Sequence, residues 1–132
     1  MLNRLKEVIE KEKPKLVIVY GDTNSTLAGA LSAKEEKIAL SHIEAGLRSF
    51  RLDMAEELNR VVTDRLSDLL FAPVKEAVDN LKKEGITKGV YLVGDVLYDV
   101  LLKFKDYIDK EFIKIKKKLN IQKNSFFLLT LH

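Results

Sequence analysis

No cysteine occurs in the 132 residues, which excludes disulfide bridges and thiolate-bound zinc. No apolar run approaches the roughly 20 residues that a membrane-spanning helix requires. The N-terminal stretch Met1-Leu2-Asn3-Arg4-Leu5-Lys6 lacks the apolar core of a secretory signal. Neither a Gly-x-Gly-x-x-Gly fingerprint nor a P-loop is present, and no Gly-x-Ser-x-Gly elbow exists to present a nucleophilic serine. Histidines and carboxylates nowhere adopt metal-ligand spacing. An excess of one charge is missing too: 23 basic and 20 acidic residues leave +3, too little to argue for nucleic acid. What remains, at 46% apolar and 33% charged residues, is one globular domain of ordinary size, expected in the cytoplasm.

Charge is nevertheless unevenly spread. Residues 103–124 hold eight lysines, while Phe104, Ile108, Phe112, Ile115 and Leu119 recur at helical spacing. That pattern reads as an amphipathic helix with a solvated lysine face rather than a nucleic-acid or membrane surface.

Two periodicities alternate along the chain. Leu2, Leu5, Val8 and Ile9 fit one helical face that ends before Pro14. Leu16–Tyr20 is a continuous apolar run, expected as a strand buried on both faces. Residues 25–34 read as an alanine-rich helix and 38–41 as the next strand. Leu58, Val62, Leu66 and Leu69 give a helical stripe leading into the strand 69–72. Val74, Val78 and Leu81 give a further helix, with Gly85 where a C-cap belongs, followed by the strand 90–93. One long helix over 96–118, a polar joint at 120–124 and a strand over 126–130 complete the order. Strands alternating with helices imply an α/β fold with a parallel sheet and flanking helices. In such sheets ligands bind beyond the carboxyl ends of the strands.

Ionisable residues gather at those ends. Asp22 follows Tyr20-Gly21; a turn or N-cap explains it as readily as chemistry, and Thr23, Asn24 or Ser25 could cap instead. The start of the following helix would also favour an anion such as phosphate. Glu44 lies in Ser41-His42-Ile43-Glu44-Ala45-Gly46-Leu47-Arg48. A carboxylate there is expected to be partly desolvated and so suited to proton transfer, unless it simply pairs with Arg48. His42 fits a hydrogen-bonded packing residue better than a general base. Glu56 and Glu57 begin a helix, where the helix dipole alone accounts for one of them, and Arg60 could pair with either. His132 is the final residue of the sequence.

The set Gly21-Asp22-Thr23, His42-Ile43-Glu44-Ala45-Gly46-Leu47-Arg48, Glu56-Glu57-Leu58-Asn59-Arg60, Gly94 with Asp99, and Thr130-Leu131-His132 resembles the non-hydrolysing UDP-N-acetylglucosamine 2-epimerases. The match runs from about Lys15 to the last residue, and its order and spacing make it specific. The His-x-Glu-Ala-Gly-Leu-Arg block separates this group from the hydrolysing epimerases. A glycosyltransferase of the same two-domain architecture is disfavoured by that block and by Glu-Glu-x-Asn-Arg.

The resemblance implies a Rossmann-like parallel sheet within a two-domain, glycosyltransferase-B-like architecture, with a UDP-sugar substrate in the interdomain cleft. It implies a cytoplasmic isomerase that interconverts UDP-N-acetylglucosamine and UDP-N-acetylmannosamine for cell-surface polysaccharide synthesis. No cofactor, metal or nicotinamide is implied, and neither nucleic acid nor membrane is expected as a partner. Asp22, Glu44 and Glu56 correspond to the family's catalytic carboxylates, with Asp22 and Glu44 also touching substrate. His132 corresponds to the histidine that contacts UDP.

Two positions depart from the family pattern: Ala55 stands where proline usually precedes the acid pair, and Asp95 replaces the asparagine after Gly94. The resemblance further assigns residues 1–118 to part of a first domain with its connecting helix, and 119–132 to the first strand of a second. The family's earlier Gly-Thr-Arg-Pro-like loop and most of its second domain have no counterpart. The expectation is therefore an incomplete site, an exposed sheet edge and self-association into a homo-oligomer. A catalytically inactive association module is the alternative.

Overall fold

The computed structural model describes residues 1–122, 127, 129 and 130. The chain falls into two compact units, Met1–Asp95 and Val96–His132. The expected strand over 126–130 falls largely outside the described residues, and so does His132.

In the first unit, helix α1 (Leu2–Glu12) leads into β1 (Leu16–Tyr20), α2 (Asn24–Glu35), β2 (Ala39–Ile43), α3 (Ala55–Leu66), β3 (Leu69–Ala72), α4 (Lys75–Lys83) and β4 (Val90–Leu92). The strands form one parallel sheet in the order β1-β2-β3-β4. Strand β2 runs two residues beyond the expected Ser41, because Val19 and Tyr20 of β1 pair with His42 and Ile43. The first ionisable residue beyond β2 is therefore Glu44, while His42 lies inside the sheet.

Register and pleat fix which side chains share a face. Val19 pairs with His42 and His42 with Leu70, so these three point the same way, as does Leu40 two residues before His42. Ala30 and Ala33 of α2 cover Val19 and Leu40, and Leu81 of α4 covers Leu70. Asp64 of α3 bonds His42 on that same face. Crossovers that advance in one direction across the sheet keep their helices on one side. The opposite face stays open: Ile18 is 50% exposed, Tyr20 62% and Tyr91 51%. The expectation that β1 is buried on both faces is thus corrected to burial on one.

Helix α3 departs further from its sequence pattern. Leu66 of its apolar stripe packs against the core, yet Leu58 is half exposed, while Glu57, Asn59, Arg60, Thr63 and Asp64 are buried. Polar groups can occupy such a face only when hydrogen bonds satisfy them. For Glu57, Asn59 and Arg60 those bonds come from the loops at the ends of β1 and β2, and for Asp64 from His42 of β2 and the Gly46 amide, whereas Thr63 Oγ1 is buried without a hydrogen-bond partner among the described residues.

In the second unit, the expected continuous helix is two helices, α5 (Val96–Lys103) and α6 (Lys105–Lys118), which meet at Phe104 (φ −101°, ψ 8°). The joint keeps its ladder bonds, from the Phe104 amide to the Val100 carbonyl (3.0 Å) and from the Ile108 amide to the Phe104 carbonyl (2.9 Å). The apolar side chains of α6, including Phe112 and Ile115, are about half exposed, so the amphipathic pattern is present without burial.

Candidate active site

The turn after β1 and the turn after β2 lie side by side because their strands pair in parallel. Thr23, not Asp22, caps α2: its Oγ1 accepts the Thr26 amide at 3.3 Å. Asp22 is thereby released from the structural role that could have explained it. The Asn59 side-chain amide donates to the Asp22 carbonyl (2.9 Å) and to Asn24 Oδ1 (3.0 Å), fixing this turn to α3.

Glu44 adopts φ 75°, a left-handed conformation that costs a non-glycine residue on the order of 1–2 kcal/mol. Several bonds hold it there. The Glu44 and Ala45 amides both donate to the Phe71 carbonyl at 3.1 Å. Arg60 Nη1 donates to the Glu44 carbonyl at 2.5 Å. The Glu44 carboxylate lies over Gly21, where a Cβ would stand 3.2 Å from Oε2. Any larger residue at position 21 would crowd that carboxylate.

Arg60 joins the two turns. Its Nη2 donates to Asp22 Oδ2 at 2.5 Å, and its Nη1 lies 3.7 Å from Glu44 Oε2. The arginine was expected to pair with Glu56 or Glu57 on its own helix, and Glu44 had Arg48 as its possible partner. Neither pairing forms. Arg48 turns inward, to Asp64 Oδ2 (2.8 Å) and, with two parallel bonds, to Glu84 (2.7 and 2.9 Å). Burial opposes the charge on Arg48, but Glu84 and Asp64 more than offset it and raise its pKa. Glu44 is less desolvated than its position suggested, with its side chain 42% exposed.

The acid pair at the start of α3 divides its roles. Glu57 is buried and accepts the Ser49 amide (2.8 Å), the Ser49 hydroxyl (3.0 Å) and the Phe50 amide (3.1 Å). Burial opposes its ionisation; these bonds and nearby Arg48 outweigh burial and lower its pKa. Glu57 thus anchors the loop after Arg48. Glu56 is exposed instead, and lines a pocket of about 250 Å³ together with Asp22, Arg48, Ser49, Glu57 and Arg60.

Asp22 and Glu44 therefore meet at Arg60 at the carboxyl end of the sheet, and Glu56 shares a pocket with Asp22 and Arg60, while His42 sits beneath, hydrogen-bonded and fully buried. Asp64 and the bridging role of Arg60 escaped the sequence reading. The available signal was polar: Glu57, Arg60 and Asp64 recur at 0, 3 and 7 along α3, the spacing of one buried helical face. Among the described residues, no group of three histidine or carboxylate side chains could hold a metal ion.

Parallel strands, crossover helices on one side and carboxylates at the strand ends define a Rossmann-like α/β domain with ionisable side chains at the ligand-binding end of its sheet. A family model described as UDP-N-acetylglucosamine 2-epimerase matches residues 1–132, and the chain belongs to that family. It is 52% identical over 132 residues to a UDP-N-acetylglucosamine 2-epimerase homolog of Methanococcus maripaludis, covering 100% of this chain and 37% of that protein. A UDP-2,3-diacetamido-2,3-dideoxy-D-glucuronate 2-epimerase of Pseudomonas aeruginosa is 54% identical over 107 residues, 79% of this chain and 30% of that one. The crystal structure of Methanocaldococcus jannaschii UDP-GlcNAc 2-epimerase in complex with UDP-GlcNAc and UDP superposes with a TM-score of 0.79 at 47% identity, covering 83% of this chain and 30% of that chain. The chain thus covers 30–37% of the length of these relatives.

Proposed function

We propose that these residues carry the acid/base centre of a UDP-N-acetylglucosamine 2-epimerase. The observation that carries this reading is the shared Arg60, bonded to the Asp22 carboxylate and to the Glu44 backbone, with the Glu44 carboxylate beside it. The arginine places its charge between two carboxylates that would otherwise face each other directly.

The C2 proton of the sugar is not acidic, so it must leave in concert with departure of UDP from C1. A carboxylate takes the proton as the C1–O bond breaks; the pair of the C2–H bond forms the C1–C2 double bond of a glycal, and the C1–O pair leaves with UDP. Re-addition of UDP at C1 then accompanies protonation of C2 on the opposite face by a second group. No electron is gained or lost overall, so the reaction requires no redox cofactor. Asp22, Glu44 and Glu56 supply the base and the acid, each worth about 10²–10⁴-fold. His132 is assigned to the UDP moiety by its motif. Residues 1–118 belong, in this reading, to a first domain with its connecting helix, and 119–132 to the start of a second.

The reading carries a cytoplasmic location and a place in cell-surface polysaccharide synthesis. The sugar itself is tested by offering both UDP-N-acetylglucosamine and the diacetamido-glucuronate named for the Pseudomonas relative. The protein is a chimaera in which residues 1–132 replace the matching segment of the M. jannaschii epimerase. Formation of UDP-N-acetylmannosamine supports the proposal; a folded, UDP-binding chimaera that epimerises neither sugar contradicts it.

A further inference from the structure

Asp64 belongs to none of the motifs that marked the site, yet both of its carboxylate oxygens are fully engaged. Oδ1 lies 2.7 Å from His42 Nδ1. Oδ2 accepts the Gly46 amide at 3.1 Å and lies 2.8 Å from Arg48 Nη1. On the far side of the imidazole, Nε2 lies 2.8 Å from the Gly21 carbonyl. The side chains of His42 and Asp64 are both 0% exposed.

The Gly21 carbonyl can only accept, so Nε2 is placed to donate to it. Asp64 takes a guanidinium and an amide on its other oxygen and turns Oδ1 to the ring, so Nδ1 is placed to donate as well. Glu84, Arg48 and Asp64 alternate in sign along one chain of contacts that ends on His42, which compensates charges that burial would otherwise make costly.

We propose that Asp64 is the positioning residue of this site. From one point on α3 it holds the Glu44–Gly46 turn directly, through the Gly46 amide, and the Gly21–Asp22 turn indirectly, through His42. The separation of the Asp22 and Glu44 carboxylates is set by that clamp from below and by Arg60 from above. A displacement of about 1 Å between reacting groups can cost on the order of 10²-fold in rate. Asp64 thus acts on catalysis without touching substrate. The inference rests on the reading of Asp22 and Glu44 as acid/base groups.

The test has two arms. In the 132-residue chain, labelled with 15N-histidine, the His42 ring is expected to show two protected N–H protons, both lost from protection in Asp64→Asn. A single ring N–H in the parent chain overturns the clamp without any need for a variant. In the chimaera, Asp64→Asn is expected to lower kcat by about 10²-fold per folded molecule. KM is expected to stay within about threefold of the parent value. Unchanged kcat in a folded variant shows a merely structural aspartate and overturns the proposal. Where Asp64→Asn does not fold, His42→Asn, which removes the ring between Asp64 and Gly21 but leaves the Gly46 amide on Asp64, is judged by the same split. An inactive parent chimaera contradicts the epimerase reading, and the ring protons still decide the clamp.

Discussion

Arg60 Nη2 reaches from the first half of α3 to Asp22 Oδ2 at 2.5 Å, across 38 positions of sequence. The same guanidinium bonds the carbonyl of Glu44, so one side chain spans the ends of two parallel strands.

Arg60→Ala removes both links at once. It leaves the Glu44 carbonyl and a partly buried Asp22 carboxylate without their donor, at a cost of about 1–3 kcal/mol. Equilibrium urea unfolding of the chain measures it. Arg60→Lys keeps the charge but cannot serve both turns with one planar fork, so it is expected to recover only part of the loss. Full recovery by lysine would show that charge alone matters.

Glu57 gives the chain an acid-sensitive anchor. Its pKa lies below the ordinary 4.5 in the folded state, so the unfolded chain binds its proton more readily. Its stabilisation is therefore present above 4.5 and is lost as pH falls through the lower, folded-state value. Urea midpoints measured from neutral pH down to about pH 3 are expected to fall most steeply below the ordinary carboxylate range. Glu57→Gln is expected to lower the midpoint at neutral pH and flatten that fall. An identical pH profile in the variant contradicts the assignment.

Two glycines separate backbone strain from steric contact. Gly46 has φ 80°, and a Cβ there would meet the Ala77 carbonyl oxygen at 2.4 Å. Gly85 has φ 79°, with nothing within 4 Å of that position. Gly85→Ala is expected to cost about 1–2 kcal/mol from conformation alone. Gly46→Ala adds a clash with backbone that cannot give way, and should lower the melting temperature well beyond the Gly85 variant. Equal melting temperatures would contradict the packing of the Glu44–Gly46 turn on α4.

Among the described residues β1 pairs on one side only, and its Leu16, Ile18 and Tyr20 are exposed. An unpaired apolar edge favours association with another chain. Sedimentation of the 132-residue chain is expected to show concentration-dependent association, reduced by Ile18→Lys. A monomer that persists at high concentration contradicts this.

The alternation of periodicities was enough to place every strand and helix of the first unit, because most of them bury one apolar side. Patterning failed where polar groups do the packing. The outward Leu58 and inward Asp64 of α3 make the point: no rule of apolar periodicity selects a buried stripe whose partners are loop carbonyls and amides far away in sequence. Partner choice was hidden for the same reason. Arg60 sits one turn from two glutamates of its own helix, yet the register of β1 against β2 brings Asp22 and Glu44 within its reach. The division between Glu56 and Glu57 was half legible, since the start of a helix accounts for one acid but does not say which. The break at Phe104 had no proline or glycine to announce it.

In the proposed reaction Glu44 moves a proton at the sugar's C2. The direct measurement is turnover of UDP-N-acetylglucosamine in D2O by the chimaera and by its Glu44→Gln variant, with deuterium at C2 read by NMR. The Glu44 side chain is 42% exposed and no closer than 3.7 Å to its arginine, so the substitution should leave the fold and UDP binding intact. Loss of C2 exchange and of epimerisation by at least about 10²-fold is the predicted result. Near-parental exchange in the variant would contradict it.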